Sequence, residues 1–230
     1  MTTKPIKNWL LPACLLLLGS INVLSGAFQL GTIQQGPSDV ADAMASAQYF
    51  ETPIPIVLHI VGGILFNLLG PLQFAPGLLK RRPRWHRLSG RLLVVSGFFV
   101  AGTGIWMNHF FPQYGTFLKY PGILVNSLGL AVSLTLALQA IRSKERDIQK
   151  HRRWMARAVA FGLGPATQRV FILPIFFVYG MEAISDLTIG VVIWVGFLAN
   201  LAVVEWVFWR ESRKNFDQHQ PRLKEAMTTK

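Results

Sequence analysis

Charged side chains are scarce in this chain, and acidic side chains are the scarcer of the two kinds. Only 15% of the 230 residues are charged, with 11 Asp and Glu against 23 Lys and Arg, whereas 51% are hydrophobic. So few charged groups do not cover the surface of an ordinary soluble domain. The composition therefore predicts a multi-pass membrane protein. Cysteine is almost absent as well, and the single Cys14 excludes an internal disulfide.

Common enzyme signatures are also missing from the sequence. It contains no paired carboxylates, no Cys/His pattern with metal-ligand spacing, no glycine-rich phosphate loop and no nucleophile elbow. The net charge of +12 is typical of nucleic-acid-binding proteins, but the basic residues lie in short clusters between apolar runs. We therefore predict a lipid bilayer, and not a nucleic acid, as the partner.

Six apolar runs are long enough to cross a bilayer, which requires about 20 helical residues. They cover approximately residues 9–30, 54–79, 88–111, 120–141, 154–179 and 187–209. The first run is longer than a signal-peptide core, so we expect an uncleaved helix. The predicted fold class is all-α, a polytopic membrane protein with six transmembrane helices in one domain. A charged cytoplasmic tail follows from residue 210, and we expect no ordered structure beyond Phe216.

Basic residues mark one side of this predicted bundle. Apart from Lys119 and Arg169, every Lys and Arg lies in the segments around 4–7, 80–91, 142–157 and 210–230. Six spans place all four segments on the same side of the membrane. The positive-inside rule then puts both termini in the cytoplasm.

Spans two to five are predicted to form a four-helix core of two parallel helix-hairpin repeats. His86 and His151 each open the second helix of a hairpin within a cluster of arginines and a tryptophan. Gln73 and Gln139 occupy nearly the same position in the first helix of each hairpin. Duplicated helix pairs of this kind are common in membrane proteins.

Several of these residues form a recognisable combination. The chain carries His59, the segment GPLQF at 70–74, HRLSGR at 86–91, HRRWM at 151–155 and Arg169. This combination resembles a bacterial family of predicted membrane proteins called domain of unknown function 2306, over about residues 50–175. The resemblance implies a multi-pass fold and a location in the bacterial plasma (inner) membrane. It implies no established activity, so it singles out residues without giving them roles.

Each helix of the predicted core has a face of small residues. Gly63, Gly97, Gly129 and Gly162 belong to such faces, in which small or polar residues recur three, four or seven positions apart. Small residues let helix backbones approach closely, which explains the faces as packing surfaces. The alternative is that they make room for a flat cofactor or a substrate.

Polar and ionisable side chains lie at one depth in the outer half of the core. With a rise of ~1.5 Å per residue, His59, Asn126 and Arg169 are about equally far from the membrane centre. Burying an arginine in hydrocarbon costs about 2.5 kcal/mol or more, and spans one to five contain no acid. We predict an interior pocket of His59, Asn126, Gln168 and Arg169. The alternative is that Arg169 has a structural role, in which carbonyl or hydroxyl groups, or Glu182 or Asp186 reaching inward, satisfy the guanidinium.

Three functions are compatible with such a pocket. The first is binding of haem b or quinone for electron transfer, with His59 as a haem-iron ligand and His109 as a second outer histidine. The second is transport of a small solute, an anion being one candidate, with Arg169 as the binding charge. The third is a non-catalytic assembly partner whose polar residues only join helices.

Basic residues at the predicted cytoplasmic ends of spans three and five are candidates for contact with an anion or an anionic lipid. They are His86, Arg87, Arg91, His151, Arg152 and Arg157. The alternative for the two histidines is simple placement at the headgroup boundary.

Overall fold

A computed structural model of the protein describes residues 9–37, 48–75, 77–111, 117–180 and 184–228. Within these ranges the regular structure is entirely helical. The helices are α1 (Leu10–Gln35), α2 (Gln48–Glu51), α3 (Pro53–Gln73), α4 (Leu78–Arg81), α5 (Pro83–Phe110), α6 (Lys119–Arg142), α7 (Ile148–Gly162), α8 (Gly164–Tyr179) and α9 (Asp186–Thr228).

In the described part of the chain, 6 helical stretches are long and apolar enough to cross a membrane. They are α1, α3, α5, α6, the pair α7 and α8, and α9 as far as Lys214. The prediction of an all-α polytopic fold is confirmed. We call the side with segments 80–91, 142–157 and 210–214 the basic end, and the other side the opposite end.

The second span stops at Gln73 and does not continue to residue 79 as the hydropathy predicts. Pro71 lies in its last turn and lacks the N–H that would continue the hydrogen-bond ladder. Gly77 then adopts a φ of 76°, a left-handed conformation that favours glycine, and starts the short helix α4. These two residues shorten the span from its basic end.

The fifth span is interrupted near its middle, although the sequence predicts one helix. Leu163 separates α7 from α8 and has φ −85° and ψ −7°. Pro165 follows in the first turn of α8, and it has no N–H to donate to the carbonyl of Phe161. Proline is well tolerated in a first helical turn, so the chain starts a new helix at Gly164.

The last helix is longer than expected. Helix α9 runs from Asp186 to Thr228, so the expectation of disorder beyond Phe216 is wrong. The charged segment after residue 209 contains Pro221, which has no backbone N–H, but no glycine, and most of its other residues, such as Glu, Lys, Arg, Gln and Met, are good helix formers. It therefore extends the helix that the sixth span begins.

The core lies among spans two to five, as predicted. Its buried side chains include Phe66 from α3, Leu93 from α5, Leu134 from α6 and Val159 from α7. Helix α1 packs on α3 and α8, whereas α9 packs on α6, α7 and α8. The first and sixth spans therefore flank the core. The two-repeat organisation stays a prediction.

Candidate functional site

Large side chains fill the small-residue faces around the middle of the core. A Cβ at Gly97 would lie 2.6 Å from Cδ1 of Leu134 and 2.8 Å from Cε2 of Phe66. Gly162 meets the same Phe66 ring, and Gly129 meets the ring of Phe161. These glycines receive side chains from neighbouring helices, which supports the packing interpretation and leaves no room there for a flat cofactor.

Two glycines nearer the opposite end are filled in the same way. A Cβ at Gly104 would lie 2.9 Å from Oγ of Ser127, and a Cβ at Gly122 would lie 2.9 Å from Nε1 of Trp194. Gly63, one turn from His59 on α3, would have no atom within 4 Å of an added Cβ. The small-residue face of α3 is therefore open at Gly63, whereas those of α5 and α6 are filled at Gly104 and Gly122.

His59 is held by a chain of two hydrogen bonds. Its Nδ1 lies 3.0 Å from Oγ1 of Thr103, and that hydroxyl lies 2.6 Å from the carbonyl oxygen of Phe99, to which it donates. The hydroxyl therefore accepts from Nδ1–H, which assigns the proton of the neutral ring to Nδ1. Cε1 of His59 and Oγ of Ser127 lie 3.5 and 2.9 Å from the Cβ position of Gly104. Spans two, three and four thus meet at His59.

Asn126 on the fourth span faces the interruption of the fifth. Its Oδ1 is buried and has no hydrogen-bond partner in the described part of the chain. This oxygen lies 3.1 Å from the Cβ position of Gly164, the first residue of α8. A buried oxygen without a partner is costly, so this amide requires an explanation.

The sixth span bridges the same interruption. Asn200 donates from Nδ2 to the carbonyl of Ala160 at 3.0 Å, and its Oδ1 accepts from the hydroxyl of Thr167 at 2.9 Å. One amide therefore ties the end of α7 to the start of α8.

Arg169 is bound by a residue of the first span. Its Nη1 donates to Oδ1 of Asn22 at 2.9 Å and to the carbonyl of Pro165 at 3.1 Å. Asn22 also donates from Nδ2 to Oδ1 of Asn67 at 3.2 Å and to the carbonyl of Gly162 at 3.5 Å. Both acceptors of Arg169 are neutral, and its Nε and Nη2 groups make no hydrogen bond with the described residues. Among the described residues no acidic side chain pairs with the guanidinium, and three of its five N–H donors are unused there.

The predicted pocket residues thus have separate partners. His59 bonds to the third span and Arg169 to the first, while Gln168 lies against the sixth, its Cβ 3.2 Å from the Cβ position of Gly196. His109 is exposed, with Nδ1 3.3 Å from the hydroxyl of Tyr120. No hydrogen bond joins His59, Asn126, Gln168 and Arg169 to one another in the described ranges.

Sequence reasoning missed two features of this region. Asn22 was overlooked as a partner because the first span was treated as a flanking helix, although an amide within an apolar run is a visible signal. The second missed feature is the interruption of the fifth span, although Gly164-Pro165 in the sequence is a strong signal for a helix break.

At the basic end, half of the predicted contact residues are engaged by the protein itself. Nδ1 of His151 lies 2.8 Å from the carbonyl of Ala137. Arg152 pairs with Glu211 at 2.5 Å, and Arg157 binds both carboxylate oxygens of Glu205 at 2.5 and 2.9 Å.

The other three predicted contact residues lack such partners. Nδ1 of His86 is buried without a hydrogen-bond partner among the described residues. Arg87 and Arg91 are exposed. A groove of about 360 Å³ lies on α7, lined by Asp147, Gln149, Lys150, Arg153, Trp154 and Arg157. The free basic surface of this end is therefore formed by exposed arginines and by this groove.

In the described ranges, no group of 3 or more His, Cys, Asp and Glu residues could hold a metal ion.

Comparisons with known proteins agree with this architecture. No curated protein and no solved structure matches the chain. A family model described as "predicted membrane protein (DUF2306)" matches residues 56–208, which covers the core and most of the sixth span. The chain therefore belongs to this family of predicted membrane proteins.

Proposed function

We propose that this protein binds and transports a small anionic solute, with Arg169 as the binding charge. The observation that carries the proposal is the bonding of the guanidinium, whose hydrogen bonds within the described part of the chain go to the neutral oxygens of Asn22 and Pro165. An arginine inside a membrane is costly and normally finds a counter-charge. An anion at the unused N–H groups would supply that charge.

The choice of an anion over a quinone follows from the same geometry. The carbonyl oxygens of a quinone would accept hydrogen bonds from Nε and Nη2, but they would leave the positive charge uncompensated. An anion satisfies both the donors and the charge, and charge-assisted hydrogen bonds are about twice as strong as neutral ones.

The interrupted fifth span supports the assignment. The N-terminus of a helix carries a partial positive charge, which favours anions. The N–H groups of Ala166 and Thr167 already donate to the carbonyl of Leu163, so this charge, and not a set of free N–H groups, supports an anion here. Helix α8 begins at Gly164, and Arg169 lies about one turn later. Discontinuous transmembrane helices form the substrate sites of many secondary transporters.

Haem fits the described residues poorly. His59 has a suitable arrangement, because Nδ1 is bonded to Thr103 and Nε2 is left without a proton. The glycine faces that would accept a flat macrocycle, at Gly97, Gly129 and Gly162, are filled by Phe66, Leu134 and Phe161. We therefore assign no function through haem.

Flux into liposomes tests the proposed function. We expect the reconstituted protein to move at least one of four probes: chloride, nitrate, acetate or inorganic phosphate. Arg169→Gln should lower the rate about tenfold or more, because it removes the charge of an intramembrane group. Arg142→Gln, at the exposed end of α6, is the matched control and should retain the rate. Equal rates in all three proteins for every probe would refute the proposal.

The orientation completes this proposal. We infer a bacterial plasma membrane with the basic end in the cytoplasm, which follows from the distribution of Lys and Arg. Reporters fused after Lys144 should then be cytoplasmic, and reporters fused after Ser185 should be outside. The opposite reporter pattern would place the basic end outside the cell and contradict this orientation.

A second candidate role is contact with anionic lipid at the basic end. The groove on α7 favours it, because Lys150 and Arg153 line it beside the ring of Trp154. Each basic residue near an anionic surface contributes about 1 kcal/mol. A double substitution, Lys150→Gln with Arg153→Gln, should weaken co-sedimentation with phosphatidylglycerol vesicles and leave binding to phosphatidylcholine unchanged. Unchanged binding to both would contradict this role.

A further inference from the structure

We propose that Asn22 of the first span is a positioning residue for Arg169, which holds the guanidinium without neutralising it and so keeps its charge available to an anion. This inference rests on the proposed anion site and adds a further span to it. The first span lies outside residues 56–208, the part of the chain that the family model matches. The anion site is therefore not complete within the matched part of the chain.

Close contacts fix the position of the first span against the second on both sides of Asn22. A Cβ at Gly19 would lie 3.0 Å from the backbone oxygen of Asn67. A Cβ at Gly26 would lie 2.9 Å from Cγ2 of Ile60. The two glycines come three residues before Asn22 and four residues after it, which places all three on one face of α1. Asn22 therefore enters the bundle from a helix that is packed closely against α3.

Hydrogen bonds at both ends fix the orientation of the Asn22 amide. The carbonyl of Gly63 can only accept, so Asn67 presents Nδ2 to it, at 2.8 Å, and turns its Oδ1 toward Asn22. Asn22 presents Nδ2 to that oxygen at 3.2 Å. Its own Oδ1 then faces Nη1 of Arg169, which can only donate, at 2.9 Å. This chain of bonds allows one orientation, with the amide oxygen on the guanidinium.

An amide at this position orients the arginine and leaves its charge in place. The bonds to Asn22 and to the carbonyl of Pro165 both use Nη1. Among the described residues Nε and Nη2 have no partner, so these groups can form charge-assisted bonds to an anion. A carboxylate at position 22 would instead cancel the charge. An added anion would then bring a net negative charge into the membrane, which is costly.

Anion-dependent thermal unfolding of the purified protein in detergent tests this role without requiring transport. Melting is followed in sodium chloride, nitrate, acetate and phosphate, each against sodium gluconate at equal ionic strength. Arg169→Gln lacks the charge, so subtracting its shifts in the same salts removes general salt effects. We expect the parent to keep a saturable shift of about 3 °C or more for at least one of the four anions. No remaining shift for any of them would overturn the inference.

Asn22→Asp tests the neutrality of the amide, because the two side chains have nearly the same size. We expect this variant to lose the anion-specific shift, whatever its melting temperature in gluconate. The matched control is Asn108→Asp, at a buried amide of the third span that donates to the carbonyl of Tyr120. That variant should retain the shift. A shift of parental size in Asn22→Asp, or its loss in Asn108→Asp, would contradict the role of Asn22.

Asn22→Leu tests positioning without adding charge, and it also decides the matter if the aspartate variant does not fold. The maximal shift should remain, whereas the anion concentration that gives half of it should rise about threefold to tenfold, because a side-chain hydrogen bond to Arg169 is lost. Ser20→Ala, on the same helix and bonded to the carbonyl of Leu17, should leave this concentration unchanged. An unchanged concentration in Asn22→Leu would show an amide that only joins helices, and would overturn the inference.

Flux into liposomes separates this inference from the proposed transport. If the parent shows the shift but moves none of the probes, transport is refuted, and loss of the shift in Asn22→Asp still supports the role of Asn22. If the parent transports an anion and Asn22→Asp transports it at the same rate, the role of Asn22 is refuted and transport stands.

Discussion

Glycines of the four-helix core occur in two different surroundings. At the packed positions, Gly97 and Gly162 lie directly against the ring of Phe66. At the open position, Gly63 has no neighbour within 4 Å of its Cβ position. A stripe of small residues is therefore a packing surface where a large side chain points at it, and an open surface where none does.

The polar groups differ along the core as well. Near the basic end and the middle, the buried hydroxyls of Ser89 and Ser96 donate to carbonyls of their own helix. Toward the opposite end, Asn126 has an oxygen and Arg169 has N–H groups without partners among the described residues. Unsatisfied polar groups are typical of binding sites, whereas dense packing stabilises the fold. This difference predicts where substitutions affect stability and where they affect ligands.

The largest loss of stability is expected from Phe66→Ala. The ring is 2% exposed and fills the faces of two glycines, so its removal leaves a cavity that costs about 3–5 kcal/mol. Phe177→Ala, on a residue that is 77% exposed, is the control and should have little effect on unfolding in detergent. Similar losses in the two variants would remove the distinction between core and lipid-facing positions.

A pair of glycine substitutions compares a packed and an open position directly. Gly162→Ala places a methyl group against the Phe66 ring and should destabilise the protein by about 1–3 kcal/mol. Gly63→Ala meets open space and should leave stability unchanged or raise it by up to about 1 kcal/mol, because alanine is the better helix former. Unfolding in detergent measures both. A larger loss at Gly63 than at Gly162 would reverse the assignment of the packed and open positions.

A double-mutant cycle tests the connection between Asn22 and Arg169. Their hydrogen bond of 2.9 Å should give a coupling energy of about 1 kcal/mol, since side-chain hydrogen bonds in membranes average about 0.6 and reach about 1.7 kcal/mol. The variants are Asn22→Leu, Arg169→Met and the combination. His59→Leu with Arg169→Met is the control cycle and should be additive, because the two residues share no partner. Coupling in the control cycle instead would support the single pocket predicted from the sequence.

Much of the fold was predictable because hydropathy depends on composition over long windows. The six spans and the four-helix core require only apolar runs of sufficient length, and a polar residue or two does not hide them. Local breaks are harder to predict, since Pro71 and Pro165 act on single hydrogen bonds within such a run. The length of α9 was underestimated because a charged composition distinguishes exposure from burial but does not distinguish helix from coil.

The candidate site was predictable only as a set of unusual residues. Arg169 stands out in sequence as a charge within an apolar run, and the structure confirms its position in the fifth span. Its partner could not be derived, because Asn22 lies in another helix and the rotation of that helix about its axis depends on packing. Gln168 and Arg169 contact different spans, because neighbouring residues on a helix point about 100° apart.

The smallest effects are expected at the ion pairs of the basic end, which lie outside the core cluster. Arg157 binds Glu205 through two nitrogens and has a side chain only 23% exposed, whereas Arg152 binds Glu211 through one nitrogen and is 58% exposed. Glu205→Gln should therefore cost up to about 1 kcal/mol, and Glu211→Gln about 0.5 kcal/mol or less, because solvent screens exposed pairs. Unfolding in detergent at low and high salt measures both, and the cost at Glu205 should persist more at high salt. Equal, salt-sensitive losses would mean that the contact of Arg157 with the ring of Trp154, at 4.5 Å, does not shield this pair from solvent.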